Sequence, residues 1–274
     1  MTQVWLNGAL VQADEARIDP ADRGFLLGDG AFETMACQRG EIRRWPRHRA
    51  RLDRALQALD IPRLDAAELE HGAQTLCQSL GLKRAVVRLT VSRGAMGGGM
   101  QATGAVSPTV LITARPLPDR PKTLSARIVP DARRDGRNLS SQHKLTGYAD
   151  MLGARRTAQR AGADIALVLS SDGHLSSADS ANLFWVRGGT VFTPALSCGC
   201  LPGTARAALL DALREQRVEV CEGEYAPSAL ETADWGFVTN AVMGLTPIVS
   251  VDGDAMTPPD ADLALFRAVC EAAA

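Results

Sequence analysis

Few residues in this chain have the type and setting that chemistry asks for. Lys144 sits in Ser140-Ser-Gln-His-Lys-Leu-Thr-Gly-Tyr148, just ahead of a helical pattern and among neighbours that are polar but uncharged. An ε-amine acts as a nucleophile only after losing its proton, and on spacing alone a single lysine reads as a solvated surface residue. The six cysteines (Cys37, Cys77, Cys198, Cys200, Cys221 and Cys270) include no CxxC and have no histidine at ligand spacing, so no metal site is expected. Cys198 and Cys200 read as two reduced thiols in a loop, with zinc or redox pairing as the alternative. Ser92-Arg-Gly-Ala-Met-Gly-Gly-Gly-Met100 is rich in glycine, but it lies between strand-like segments and opens no helix, which excludes a nucleotide loop.

Charge narrows the field of partners. Thirty basic residues against 31 acidic ones leave a net charge of -1, with no footprint for nucleic acid or an acidic membrane. No apolar run reaches the roughly 18 residues of a membrane span, and Met1-Thr-Gln-Val4 leads into structured-looking sequence without the regions of a signal peptide. A soluble, unexported, cytoplasmic protein is the expectation.

The elements that must hold these residues fall into two halves, as 274 residues suggest. Val4 to Val11 reads as a hairpin turning at Asn7-Gly8, and Ala31 to Trp45 as a second one turning at Arg39-Gly40. Leu52, Ala55, Leu56 and Leu59 mark a helix beginning near Pro46, and Asp65 with Glu68 opens another that Gly81 stops. Strands follow at Ala85 to Ser92 and at Val110 to Thr113. Ala114 to Pro121 carries three prolines and is the best linker, so residues 1–115 form a small α+β domain, 116–122 a linker and 123–274 a larger domain. In the latter, a strand at Ala126 to Val129 precedes a helix around Tyr148 to Arg160. Hairpins turn at Asp172-Gly173 and Gly188-Gly189, a helix spans Thr204 to Gln216, and short strands lie near Val218, Phe237 and Ile248. A last helix is expected from about Ala261. The pattern is α+β, its second half an antiparallel sheet curled toward a barrel.

Lys144 gains a role from resemblance. His143-Lys-Leu-Thr-Gly-Tyr-Ala-Asp-Met-Leu-Gly-Ala-Arg-Arg156 resembles the Schiff-base lysine segment of the class IV aminotransferases, the fold-type IV pyridoxal-phosphate (PLP) enzymes. Asp22-Arg-Gly-Phe-Leu-Leu-Gly-Asp-Gly-Ala-Phe-Glu-Thr34 is similar to the family's N-terminal motif, and His48-Arg-Ala-Arg-Leu52 to its H-x-x-R-L helix. Ala181-Asn-Leu-Phe184, Leu201-Pro-Gly-Thr-Ala-Arg206 and Thr239-Asn-Ala241 follow in the family's order.

The resemblance implies pyridoxal 5'-phosphate bound covalently at Lys144, whose freed amine carries the substrate's Cα proton, with Thr34 assisting proton transfer. It assigns Arg51 to the cofactor phosphate, together with the backbone of Gly203, Thr204 and Ala205 at a helix start. Thr239 and Asn240 are further phosphate candidates, with strand-end capping as the alternative. Tyr148 resembles a tyrosine that bonds the cofactor's phenolic oxygen, with a core role as the alternative. Phe32 and Arg93 fall at substrate positions, although Arg93 also reads as a structural strand-end arginine.

Two departures stand out. The family's glutamate five residues before the asparagine, which keeps the pyridine nitrogen protonated, is Ser177 here, and a hydroxyl cannot hold a positive ring as a carboxylate does. Asp179 replaces it only if the backbone bulges. A second arginine often found in the glycine-rich loop is Gly98. Within the family, Ala181-Asn-Leu-Phe-Trp185 and Asn240-Ala-Val-Met243 look like aminodeoxychorismate lyase, so a lyase giving 4-aminobenzoate for folate synthesis is expected. The alternatives are an aminotransferase on a small or branched-chain amino acid and a PLP-binding protein with little catalysis. The family also implies a homodimer.

Overall fold

The computed structural model describes residues 2–97, 99–101, 103–260, 264 and 266. The chain divides into two units, one comprising 1–118 with 143–147 and the other 119–142 with 148–274.

In the first unit, β1 (Gln3–Leu6) and β2 (Ala9–Gln12) turn through Asn7 and Gly8, both at positive φ, as the Asn-Gly pair requires. Asp22 caps α1 (Arg23–Leu27) by accepting the Gly24 amide. After β3 (Gly30–Gln38) and β4 (Glu41–Ile42), Trp45 starts α2 (Trp45–Ala58) rather than ending a strand. Pro46 fixes φ for a first helical turn, which explains the difference. The Asp65 carboxylate caps α3 (Ala66–Ser79) through the amides of Ala67 and Glu68.

β5 (Arg84–Ser92) and β6 (Thr109–Pro116) complete a sheet of order β2-β1-β6-β5-β3-β4. β6 therefore runs into the stretch expected to be linker. It pairs with β1 only at Leu111 and Ile112, so the N–H that Pro116 lacks is not needed by that neighbour. One face of the sheet buries Ala31, Met35, Val87, Leu89 and Ile112 against Leu52, Leu56, Leu69 and Leu76 of α2 and α3.

The second unit holds β7 (Leu124–Arg134), α4 (Leu139–Gln142), α5 (Ala149–Arg160), β8 (Ile165–Ser170), β9 (Leu175–Ala178), β10 (Asn182–Arg187) and β11 (Thr190–Pro194). It continues with α6 (Thr204–Glu215), β12 (Val220–Gly223), β13 (Trp235–Asn240), β14 (Gly244–Val251) and β15 (Asp254–Ala255). The strand order is β12-β11-β10-β13-β14-β7-β8-β9, with β15 on β14. The sheet is curled, as expected, but it is mixed: β11 with β12, β14 with β7 and β7 with β8 are parallel. Helices α6 and α5 supply two of these crossovers, the arrangement that parallel neighbours need. Leu209, Leu210 and Leu213 of α6 pack on Phe184 and Phe237, while Leu183, Val238 and Ile248 face the other side. The helix expected from about Ala261 lies largely outside the described residues, as does Gly98. Among the described residues no helix is long and apolar enough to cross a membrane.

Candidate active site

Lys144 is held by the first unit, not by the larger half to which the sequence assigned it. Its segment pairs with the start of β3: the Phe32 amide donates to the Lys144 carbonyl at 2.9 Å and the Thr146 amide to Gly30 at 3.0 Å. Leu145 lies opposite Ala31 and packs on the buried core. Strand alternation then turns Lys144 to the other face of the sheet, where its Nζ stands 4.3 Å from the centre of the Phe32 ring.

On that same face Arg88 lies over Phe32, its guanidinium carbon 3.7 Å from the ring centre. Thr34 is the cross-strand partner of Arg88, and Thr90 of Phe32. The sheet thus presents an amine, a guanidinium and a hydroxyl beside one aromatic ring. Sequence reasoning missed Arg88, although its place two residues before Thr90 on a strand opposite Phe32 was available from the hairpin register.

Arg51 lies on the covered face. Its Nε and Nη2 donate to the two oxygens of Glu33 at 2.8 and 2.6 Å, and His48 Nδ1 is 2.6 Å from Glu33 Oε2. All three side chains are buried. Burial by itself raises the Glu33 carboxyl, but the charge and hydrogen bonds of Arg51, aided by His48, outweigh it and hold the group at about 2. Burial pulls His48 below its ordinary value against the opposing influence of Glu33. A carboxylate only accepts, so the ring nitrogen facing it, Nδ1, carries a proton.

Arg93 is engaged structurally. Its Nε donates to Asp29 Oδ2 at 2.8 Å, Nη2 reaches Asp29 Oδ1 and the Leu59 carbonyl, and Nη1 reaches the Asp60 carbonyl. Those contacts match the strand-end alternative.

In the second unit, α6 begins at Thr204 with Gly203 as its N-cap and no side chain capping it. The first-turn amides have no acceptor within the helix. A Cβ on Gly203 would lie 2.1 Å from Asn182 Oδ1, so only glycine lets the loop sit there, while Asn182 Nδ2 donates to the Leu201 carbonyl at 2.9 Å. Thr204 and Ala205 are buried. The Thr239 hydroxyl is buried with no hydrogen-bond partner, and it shares its strand face with Phe237, which packs on α6. An uncapped helix start and an unsatisfied buried hydroxyl are what a phosphate group fits. Asn240 takes the capping alternative: Oδ1 accepts the amides of Val242 and Met243, and Nδ2 donates to Ser180.

Ser177 is buried on β9 opposite Val168. Asp179 is held by Arg155, with Nε to Oδ2 at 2.7 Å, and its Oδ2 accepts the Ala166 amide. It therefore ties α5 to β8. Tyr148 is the N-cap residue of α5 and packs partly against Val129 and Met151. Arg134, which sequence reasoning passed over, donates from Nε to the Gly199 carbonyl at 2.5 Å and from Nη2 to the Ser140 carbonyl at 3.1 Å.

Comparison with known proteins places this geometry in a family. Residues 30–251 match the family model "Amino-transferase class IV". The chain belongs to this family of PLP-dependent enzymes. It is 29% identical over 255 residues to the aminodeoxychorismate lyase of Bacillus subtilis, covering 91% of this chain and 86% of that protein. It is 26% identical over 264 residues to the branched-chain-amino-acid aminotransferase of Escherichia coli K12, covering 91% and 85%. The solved structure of 4-amino-4-deoxychorismate lyase from Pseudomonas aeruginosa matches with a TM-score of 0.85 at 27% identity, covering 98% of this chain and 97% of that one.

Proposed function

We propose that this protein is a PLP-dependent lyase that converts 4-amino-4-deoxychorismate to 4-aminobenzoate and pyruvate, a step toward folate. The observation that carries the reading is the face of β3 and β5, where Lys144 and Arg88 flank Phe32 at 4.3 and 3.7 Å beside Thr34. A substrate with an amine and two carboxylates complements that surface.

When bound, PLP supplies an electron sink for the pair left at the substrate's reacting carbon. The amides of Gly203, Thr204 and Ala205, and the Thr239 hydroxyl, would hold its phosphate. Tyr148 would meet its phenolic oxygen, and Asn240 would brace the turn beside Thr239. Lys144 Nζ would hold the cofactor and could move the proton at the reacting carbon, with Thr34 Oγ1 assisting that transfer. Arg88 binds a substrate carboxylate, and Phe32 supplies the apolar wall. Ser177 would offer the ring nitrogen a neutral partner in place of a carboxylate, which would favour a reaction that makes little demand on the sink. Loss of the ring proton with departure of the enolpyruvyl oxygen balances the lyase reaction without a keto acid.

Similarity to the Escherichia coli aminotransferase favours transamination of a small or branched-chain amino acid as the second reading. A panel of amines with and without keto acids separates the two: the lyase forms pyruvate from its substrate alone, whereas the aminotransferase turns over only with both partners. The reading includes a homodimer, supported by Phe25, 79% exposed, with Leu26 and Leu27 beside it on α1. It also includes a cytoplasmic location, supported by free thiols at Cys37, Cys77, Cys198, Cys200 and Cys221.

A further inference from the structure

Asn182 is buried at the start of β10, and its side chain turns to the loop that leads into α6. Nδ2 donates to the Leu201 carbonyl at 2.9 Å, and Oδ1 lies 2.1 Å from where a Cβ on residue 203 would stand. One amide thus fixes residues 201–203 at both ends, by a hydrogen bond at the first and by close contact at the last. Asn182 is also the direct cross-strand partner of Thr239, and opposed residues of an antiparallel pair put their side chains on one face, with Cβ atoms roughly 4.5–5.5 Å apart. The Thr239 hydroxyl is buried and, among the described residues, has no hydrogen-bond partner. Leaving such a group unpaired is costly, yet the amide opposite it is committed to Leu201 instead. The hydroxyl therefore stays available on the face toward which α6 begins with no side chain capping it, as one ligand that both could bind requires.

We infer that Asn182 is a positioning residue, which holds the turn at 201–203 so that the start of α6 and the Thr239 hydroxyl meet the phosphate of PLP together, without itself touching the cofactor. This rests on the reading that the α6 start and Thr239 take the phosphate. A turn fixed beforehand loses less freedom when the ligand arrives, so the gain appears as affinity and only for a ligand that carries the phosphate.

The test is titration of the full-length protein, stripped of cofactor, with PLP and separately with pyridoxal, which lacks the phosphate. Asn182→Ala is expected to raise the Kd for PLP roughly tenfold, the scale of one lost hydrogen bond, and to leave the Kd for pyridoxal unchanged, which also shows that the variant is folded. Asn182→Asp keeps the size of the side chain and is the arm that decides if Asn182→Ala does not fold. It removes the Nδ2 donor and adds a negative charge beside the helix start, so its rise should be larger and again confined to PLP. Thr239→Val should weaken PLP alone, and its effect combined with that of Asn182→Ala should fall short of the product of the two, because the hydroxyl contributes less once the turn is loose. Equal losses for PLP and pyridoxal, a full product in the double variant, or a PLP affinity untouched by both Asn182 substitutions would overturn the inference and leave Asn182 a tie between strand and loop. If Thr239→Val keeps the full preference for PLP over pyridoxal, the inference falls with the phosphate assignment while the cofactor reading stands. A wild-type protein that binds neither ligand would refute the cofactor reading and the inference together.

Discussion

Asp179 and Arg155 form a two-pronged ion pair, Oδ2 to Nε at 2.7 Å and Oδ1 to Nη2 at 2.5 Å, with the Ala166 amide also on Oδ2. The pair joins α5 to the turn between β9 and β10. The Asp179 carboxylate, two residues after Ser177, is thereby engaged by Arg155. Asp179→Asn is expected to lower unfolding stability by about 2 kcal/mol, given a buried carboxylate and a part-exposed arginine, with PLP binding retained. Urea denaturation and a cofactor titration check both halves.

Ser177→Glu should restore a charge that keeps a pyridine nitrogen protonated. Any transamination half-reaction is expected to rise, by about tenfold for each ~1.4 kcal/mol of stabilisation gained, and lyase turnover to change less. Single-turnover kinetics with an amino acid will show the ordering. A fall in transamination with normal PLP binding would mean that another group already does the glutamate's work.

Lys144→Ala is expected to abolish both activity and a borohydride-reducible link between PLP and the protein. Mass spectrometry of the reduced protein reads this directly. A covalent adduct that survives the substitution would place the attachment elsewhere.

Acid should destabilise the fold through the Glu33 cluster. His48 is held below its ordinary 6.5, so the unfolded chain binds the proton more readily and stability present above pH 6.5 is lost as pH falls. Glu33, lowered from 4.5 to about 2, adds stability that is full above 4.5 and disappears toward 2. Both act in the same direction. Urea midpoints should decline from pH 6.5 to about 5 in the wild type, and His48→Leu should flatten that part of the curve.

Local signals of turn and cap carried over well from sequence to fold. Asn7-Gly8, Asp65 and Gly81 act over a few residues, and each stands at the turn or helix end where its own chemistry puts it. What depends on distant partners was not legible. The return of residues 143–147 to β3 is set by pairing across more than 100 positions, which no local pattern reports. Parallel pairing of β7 with both β8 and β14 was hidden for the same reason, since a strand's apolar run does not disclose the direction of its neighbours. At the site, family resemblance rather than residue type or spacing singled out Lys144 and Gly203-Thr204-Ala205. The engagement of Arg93 by Asp29, and the standing of Arg88 over Phe32, needed coordinates because one arginine on a strand looks like another.

The exposed apolar face of α1 bears on assembly. Sedimentation of the wild type should show a dimer, and Phe25→Glu should shift it toward monomer with little change in monomer stability, since Phe25 buries little of its own surface in the chain. A wild-type monomer with full activity would reject the dimer.

The most direct measurement of the central claim is product formation by PLP-loaded protein given 4-amino-4-deoxychorismate and no keto acid. Equal amounts of 4-aminobenzoate and pyruvate are expected, lost in Lys144→Ala and reduced with a raised KM in Arg88→Ala. No 4-aminobenzoate under these conditions, with amino-group transfer appearing once a keto acid is supplied, would contradict the lyase account and establish the aminotransferase reading in its place.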